Sequence, residues 1–89
     1  MIEDQATICN KLGLHARAAA KFVATASEFE SEIEIEKDGK RVNGKSIMGV
    51  MMLAASKGSN INLFIDGADE QDAIIKIKKL IASRFGEDE

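Results

Sequence analysis

Residues 32–36 alternate strictly between glutamate and isoleucine, which is typical of a strand with one buried face and one solvated face. Asp38-Gly39 follows, and this dipeptide favours the tight turn of a β-hairpin. Residues 40–43 then predict a short returning strand, whose charges suit the edge of a sheet. The segment therefore favours an antiparallel sheet with its isoleucine face covered by other parts of the chain.

Two other segments predict strands and three predict helices. The strands are expected at Ile2–Asn10 and Asn60–Asp66, where apolar and polar residues alternate. The helices are expected at Ala16–Ser27, at Ile47–Ala55, and from Asp69 or Asp72 to about Phe85, where apolar residues recur at helical spacing. The resulting order is β-α-β-β-α-β-α, an α+β fold with its helices on one face of an antiparallel sheet.

The same periodicity predicts which side chains form the core. In the helices these are Ala19, Phe22, Val23, Ala26, Val50, Leu53, Ala54, Ile74, Ile77, Ile81 and Phe85, and in the strands Ile33, Ile35, Ile61, Leu63 and Ile65. The second helix is apolar nearly all round, so Ile47, Met48 and Met51 are expected to face outward as a docking surface. The alternative is that the second helix lies deep in the core and is buried on all sides. Gly86 is expected to end the last helix, and residues 87–89 to fray.

Composition limits the function classes. At 89 residues, with 45% hydrophobic and 30% charged residues, we expect one globular domain over residues 1–89. A net charge of −3 provides no basic field for nucleic acid, and no apolar run approaches the length needed for membrane insertion. The single cysteine, Cys9, cannot form an internal disulfide. We therefore expect a cytoplasmic protein without nucleic-acid or membrane partners.

His15 is the only histidine, and it stands where a strand pattern ends and a helix pattern begins. Amide groups at a helix start lack intrahelical partners and attract anions, and Arg17 adds a charge with phosphate-matched geometry. The stretch therefore predicts a nucleophilic ring beside an anion site. A solvated histidine with an incidental arginine is the open alternative, and Lys21 is interpreted as a solvated helix charge. One histidine and one cysteine cannot form a closed metal site, so no metal is expected.

Two motifs resemble those of a known family. Gly13-Leu14-His15-Ala16-Arg17, followed by Ala19-Ala20, resembles the phosphorylation-site signature of the histidine-containing phosphocarrier (HPr) proteins of the phosphoenolpyruvate-dependent phosphotransferase system. Residues 43–51, Asn-Gly-Lys-Ser-Ile-Met-Gly-Val-Met, resemble the regulatory serine segment of that family. The resemblance covers essentially the whole chain. It implies an open-faced β-sandwich, in which three helices cover one side of a four-stranded antiparallel sheet.

The resemblance also implies a mechanism. His15 would accept a phosphoryl group at Nδ1 from an enzyme I-type phosphohistidine protein and pass it to an EIIA-type protein. Arg17 and the amides of Ala16, Arg17 and Ala18 would stabilise the charge on the phosphoryl oxygens. The protein would then be a phosphotransfer intermediate rather than a turnover enzyme, and it would need no cofactor.

Ser46 is implied as a second phosphorylation site, used by an HPr kinase/phosphorylase for regulation. A plain helix N-cap is the open alternative, since serine is favoured there in any helix. Partners would dock on Ala20, Lys21, Ile47, Met48 and Met51, and the protein is expected to be a monomer. The resemblance leaves open whether the carrier serves sugar uptake or the nitrogen-related branch of the system.

One residue departs from the family pattern. Ala18 stands where the family usually has proline, in the first turn of the first helix. Alanine retains an amide donor that proline lacks, and it allows a more flexible turn. We expect this change to affect the efficiency of transfer more than the identity of the protein. The alternative function is a non-catalytic regulatory module of the same family that acts by protein docking.

Overall fold

The computed structural model describes residues 1–89, and its elements follow the predicted order. The four strands are β1 (Ile2–Thr7), β2 (Glu32–Lys37), β3 (Lys40–Asn43) and β4 (Asn60–Asp66); the helices are α1 (Ala16–Ala26), α2 (Ile47–Met52) and α3 (Glu70–Ala82), followed by a short 3-10 turn (Arg84–Gly86). No helix is long and apolar enough to span a membrane. The predicted α+β architecture is confirmed.

The four strands form one antiparallel sheet in the order β1-β4-β2-β3. The register places Ile65 between Ile2 on β1 and Ile33 on β2, so apolar residues from neighbouring strands share one face. Asp38 and Gly39 both have positive φ, at 52° and 81°, as the tight turn between β2 and β3 requires. The strand predicted from the alternation of residues 32–36 and the hairpin predicted from Asp38-Gly39 are both confirmed.

The three helices cover the apolar face of the sheet and form one core with it. The fully buried large side chains are Phe22, Phe85, Ile8, Ile33, Ile35, Ile61, Leu63, Ile65, Ile77, Ile81 and Val50. Nearly all of these were predicted from the helical and strand periodicity. Val23 is only partly buried and packs against the edge of this core, and Ala18, which the pattern did not assign to the core, is fully buried.

The second helix is shorter than predicted. It ends at Met52 rather than Ala55, and Ala54 has a positive φ of 52°. This turn exposes Ala54 and directs Ala55 into the core, where it is 3% exposed. The prediction that Ala54 is buried is therefore wrong. The chain reverses because its next residues must reach β4, a tertiary requirement that helical periodicity does not contain.

The third helix and the first strand are also shorter than predicted. Helix α3 ends at Ala82, after which Arg84 and Phe85 take positive φ values of 58° and 55°. Phe85 nevertheless remains in the core, reached by this left-handed turn instead of by continued helix. Strand β1 ends at Thr7, although the Ile8 amide still donates to the Ser59 carbonyl at 2.9 Å, which continues the pairing with β4 by one residue.

Candidate functional site

His15 is the N-cap residue of α1, with an extended backbone at φ −74° and ψ −179°. The chain reaches it through Gly13, whose φ of +67° suits glycine. Gly13 lies directly against the α2–β4 loop, so that a Cβ added there would be 2.4 Å from the Ala55 carbonyl oxygen. The Leu14 amide donates to that same oxygen at 2.8 Å. The turn before α1 is therefore fixed by the loop after α2, which sets the position of the imidazole.

The first turn of α1 leaves its amides without acceptors. The His15 side chain does not cap the helix, and the first α1 amide with a backbone acceptor is that of Ala19, which donates to the His15 carbonyl at 2.8 Å. Ala16 and Arg17 are exposed, so their amides face the surface where an anion would bind. Ala18 has no exposed surface, so its amide is covered. A donor role for Ala18 stays a prediction.

The two cations of α1 have different surroundings. Arg17 is exposed and takes part in none of the ion pairs of the chain, so its guanidinium is free to meet an anion. Lys21 Nζ instead donates to the Phe85 carbonyl oxygen at 2.6 Å. The interpretation of Lys21 as a solvated helix charge is therefore wrong. The reason is the left-handed turn at residues 84–86, which brings that carbonyl to α1.

The C-terminal residues are bound, contrary to the prediction that they fray. Glu87 Oε2 lies 2.5 Å from His15 Nε2, and Glu87 Oε1 accepts from Asn10 Nδ2 at 2.9 Å. The Lys11 amide donates to the Glu89 carbonyl at 3.0 Å, and its ammonium lies 3.3 Å from the Glu89 carboxylate. Burial of Phe85 brings these residues to the site, where Glu87 contacts a residue 72 positions away in the chain. These contacts keep the terminus from fraying.

The carboxylate of Glu87 is held in its charged form. Its pKa is lowered from the ordinary value, mainly by the hydrogen bond from Asn10, then by the hydrogen bond with His15, with smaller help from the charges of His15 and Lys21. A carboxyl group with a lowered pKa is ionised throughout the neutral range. At neutral pH Glu87 therefore acts toward its two partners only as an acceptor.

Asn10 is a functional candidate that the sequence pattern did not reveal. It is fully buried, and its Nδ2 donates both to the Gly13 carbonyl at 2.8 Å and to Glu87. Its Oδ1 is buried without a hydrogen-bond partner. Asn10 therefore connects the turn that positions His15 with the carboxylate that contacts its ring. In sequence it is only a polar residue at a strand end, and no local signal marks it.

His15 and its neighbours line an open groove on the surface. Its lining includes the cations Arg17 and Lys21 and the carboxylates Glu87 and Glu89. No group of three or more histidine, cysteine, aspartate or glutamate side chains is arranged to hold a metal ion. The arrangement offers a ring nitrogen, open backbone amides and a free guanidinium together, which suits transient binding of a phosphoryl group.

The second motif also lies at a helix start. Ser46 is half-buried and caps α2, where its Oγ accepts from the Gly49 amide at 3.1 Å, as predicted for an N-cap. The apolar residues on the outer side of α2 are exposed: Ile47 by 44%, Met48 by 72%, Met51 by 39% and Met52 by 58%. The prediction of an outward apolar surface on this helix is confirmed. Met52, and Leu12, which is 66% exposed, were not among the residues predicted to face outward.

Comparison with known proteins agrees with these observations. A family model described as the PTS HPr component phosphorylation site matches residues 2–83. The phosphocarrier protein HPr of Neisseria meningitidis (serogroup A) is 56% identical over 89 residues, the full length of both chains. The crystal structure of HPr-C-His from Thermoanaerobacter tengcongensis covers 100% of both chains at 53% identity, with a TM-score of 0.96.

A solved relative of a different kind is Crh, described as the catabolite repression containing protein of Bacillus subtilis and as a dimer with a swapping domain. It is 44% identical, with a TM-score of 0.76, and the match covers 94% of this chain and 97% of that one. The family model and the full-length relatives together identify the fold and the His15 motif as those of one group of proteins. The chain belongs to the HPr family, the phosphocarrier proteins of the phosphotransferase system.

Proposed function

We propose that this protein accepts a phosphoryl group on His15 from an enzyme I-type phosphohistidine protein and passes it to an EIIA-type protein in the cytoplasm. The observation that carries the proposal is the position of His15 as the N-cap of α1, beside the open amides of Ala16 and Arg17. The protein is then an intermediate carrier and turns over no substrate of its own. We further propose that it acts as a monomer.

In the proposed transfer, the lone pair of His15 Nδ1 attacks the phosphorus of the donor phosphohistidine. The P–N bond of the donor breaks, and the donor ring recovers its lone pair. Negative charge on the three phosphoryl oxygens is met by the Arg17 guanidinium and the amides at the start of α1, with Ala18 joining if its amide becomes uncovered. This stabilisation has to be moderate, because a carrier that binds its phosphate too tightly cannot release it.

Partner proteins are proposed to dock beside the phosphoryl site. Ile47, Met48 and Met51 offer exposed apolar side chains, and the flexibility of the two methionines suits more than one partner. Ala20 is exposed on α1, and Lys21 contributes its apolar stem, since its ammonium is bound to the Phe85 carbonyl. The enzyme I-type and EIIA-type proteins would use this surface in turn.

Phosphorylation by the donor is the direct test of the carrier function. Incubation with phosphoenolpyruvate and a cognate enzyme I should label the wild-type protein with one phosphate that is lost in acid and retained in base. Peptide mass spectrometry should locate this phosphate on the segment that contains His15. An acid-stable phosphoester, or no label at all, would contradict the carrier function, and no label would favour a regulatory module that acts by docking alone.

We further propose that Ser46 is a regulatory phosphorylation site for an HPr kinase/phosphorylase. A phosphate there lies at the N-terminus of α2, where negative charge is tolerated by the helix. It would also stand beside Ile47 and Met48, so that its charge would oppose docking of an acidic partner surface. The free energy of folding would change little, while the rate of phosphoryl acceptance by His15 would fall.

Ser46→Asn is the informative variant for this regulation. Asparagine can cap α2 as serine does, but it cannot carry a phosphoester. With the kinase and ATP, the wild-type protein should gain an acid-stable phosphate and the variant should gain none. His15 should still be labelled by enzyme I in the unmodified variant. An acid-stable phosphate that persists in Ser46→Asn would place the modification elsewhere.

A further inference from the structure

We propose that Glu87 is a positioning residue for phosphoryl transfer: held by Asn10, it keeps a proton on His15 Nε2 and so leaves Nδ1 unprotonated. This inference rests on the proposed carrier function, which it deepens. The contacts that carry it are the 2.5 Å approach of Glu87 Oε2 to Nε2 and the 2.9 Å hydrogen bond from Asn10 to Glu87 Oε1. Neither Asn10 nor Glu87 belongs to the segments around His15 and Ser46 that predicted the function.

The geometry determines which ring nitrogen carries the proton. A neutral imidazole has one N–H donor and one acceptor nitrogen, and the partner of each nitrogen sets the choice. Glu87 is ionised at neutral pH, so its oxygen can only accept, and the nitrogen facing it must be the donor. With the proton on Nε2, the lone pair is on Nδ1. This is the atom that the proposed mechanism uses as nucleophile.

Asn10 fixes the carboxylate in turn. Both partners of its Nδ2, the Gly13 carbonyl and the Glu87 carboxylate, are acceptors, so the amide orientation is determined. The cost is an Oδ1 that stays buried without a partner. A buried unsatisfied acceptor is rare in a native protein, and it persists where the surrounding contacts determine the geometry. The Asn10 side chain is therefore oriented to donate to Glu87, and this orientation leaves its Oδ1 without a hydrogen bond.

The C-terminal residues 85–89 are also held in place at Phe85. Phe85 is fully buried, and its carbonyl accepts from Lys21, so the residues before Glu87 are fixed to α1. Arg84 and Phe85 adopt left-handed backbone conformations, which are unfavourable for residues other than glycine. Such conformations persist only where packing and hydrogen bonds impose them. This constrained turn therefore places Glu87 beside the imidazole of His15.

The carboxylate affects both halves of the transfer. When Nδ1 forms its bond to phosphorus while Nε2 retains its proton, the ring becomes positively charged, and Glu87 lies next to that charge. When the phosphoryl group leaves for the next partner, the Nδ1–P bond breaks and its electron pair returns to Nδ1. Because Nε2 still holds its proton, the departing ring is a neutral imidazole rather than an imidazolate anion. Glu87 therefore favours acceptance, and by retaining the proton on Nε2 it lets the ring depart as a neutral imidazole. The carboxylate of a Ser-His-Asp triad fixes the tautomer of its histidine in the same way.

Nitrogen NMR of the complete, 15N-labelled chain tests the positioning directly. In the wild-type protein at a pH where His15 is neutral, we expect the proton on Nε2 and slow exchange of that proton with water. Glu87→Ala should populate the Nδ1-protonated form and speed the exchange. Asp88→Ala is the matched control, since Asp88 is exposed, forms no ion pair, and its replacement removes the same charge from the neighbouring position.

The rate of phosphoryl acceptance provides the second measurement. Glu87→Ala should accept phosphate about 10-fold more slowly, by analogy with the loss that follows removal of the hydrogen-bond partner of a metal-bound histidine, while Asp88→Ala should keep the wild-type rate. An unchanged tautomer in Glu87→Ala, or a wild-type ring protonated on Nδ1, would overturn the proposal. Failure of the wild-type chain to accept phosphate would overturn the proposed function instead, and the NMR comparison would still decide what Glu87 does to the ring.

Discussion

Replacing His15 by alanine is expected to abolish acid-labile phosphorylation completely while leaving the protein folded. No other histidine exists in the chain, so no second acceptor of the same chemistry is present. The side chain contributes little to folding, because it does not cap α1 and its one hydrogen bond is to Glu87. We expect the free energy of unfolding to change by no more than about 1 kcal/mol.

Two measurements check this expectation. Labelling by enzyme I and phosphoenolpyruvate should disappear in His15→Ala, and urea denaturation should show a nearly unchanged midpoint. Ala24→Gln is a suitable control, because Ala24 is exposed on the same helix, lies outside the groove around His15, and is replaced by another good helix former. It should be labelled as the wild-type protein is. Acid-labile phosphate that persists on folded His15→Ala would show that another residue is the acceptor.

Gly13→Ala is expected to destabilise the protein by about 2–4 kcal/mol. Part of this is the left-handed backbone conformation at φ +67°, which costs a residue with a Cβ about 1–2 kcal/mol. The rest is a collision, because the new Cβ would lie 2.4 Å from the Ala55 carbonyl oxygen and 2.8 Å from Ser56 Cα. Both are backbone atoms, so relief requires moving the loop after α2, at a cost comparable to overpacking.

Gly39→Ala separates these two effects. Gly39 also has a positive φ, at +81°, but a Cβ there would meet no atom within 4 Å. Its replacement should cost only the conformational part, about 1–2 kcal/mol. Urea denaturation of both variants measures the difference. Equal losses would mean that the contact between Gly13 and Ala55 is not tight; a larger loss for Gly13→Ala, with slower labelling of His15, would confirm that this contact sets the site.

The parts of the fold that were predicted are those encoded by local pattern. Ile33 and Ile35 alternate with glutamates, and Asp38-Gly39 provides the only turn chemistry that a hairpin there needs. The position of His15 was predictable for the same reason, since a strand pattern gives way to a helix pattern at that residue. Ser46 as the cap of α2 is equally local. Each of these follows from residues within one turn or a few strand positions.

The parts that were not predicted depend on contacts between distant segments. Helix α2 stops at Met52 because Ala55 has to enter the core. Neither residue is of a type that predicts the end of a helix. The terminal residues have the composition of a frayed acidic tail, yet Glu87 meets His15 because a buried Phe85 precedes it. No local pattern marks Asn10 as a functional residue, since its partner Glu87 lies at the other end of the chain.

The central position of β4 has a consequence for the protein as it is synthesised. Its partners on either side are β1 and β2, so before residues 60–66 leave the ribosome the only sheet pairing available is the β2–β3 hairpin. A two-stranded hairpin is marginally stable in water, and the long-range pairing of β1 must wait for β4. The residues that contact His15 from the C-terminal end emerge later still. A nascent chain therefore lacks the complete groove around His15 until its last turn is made.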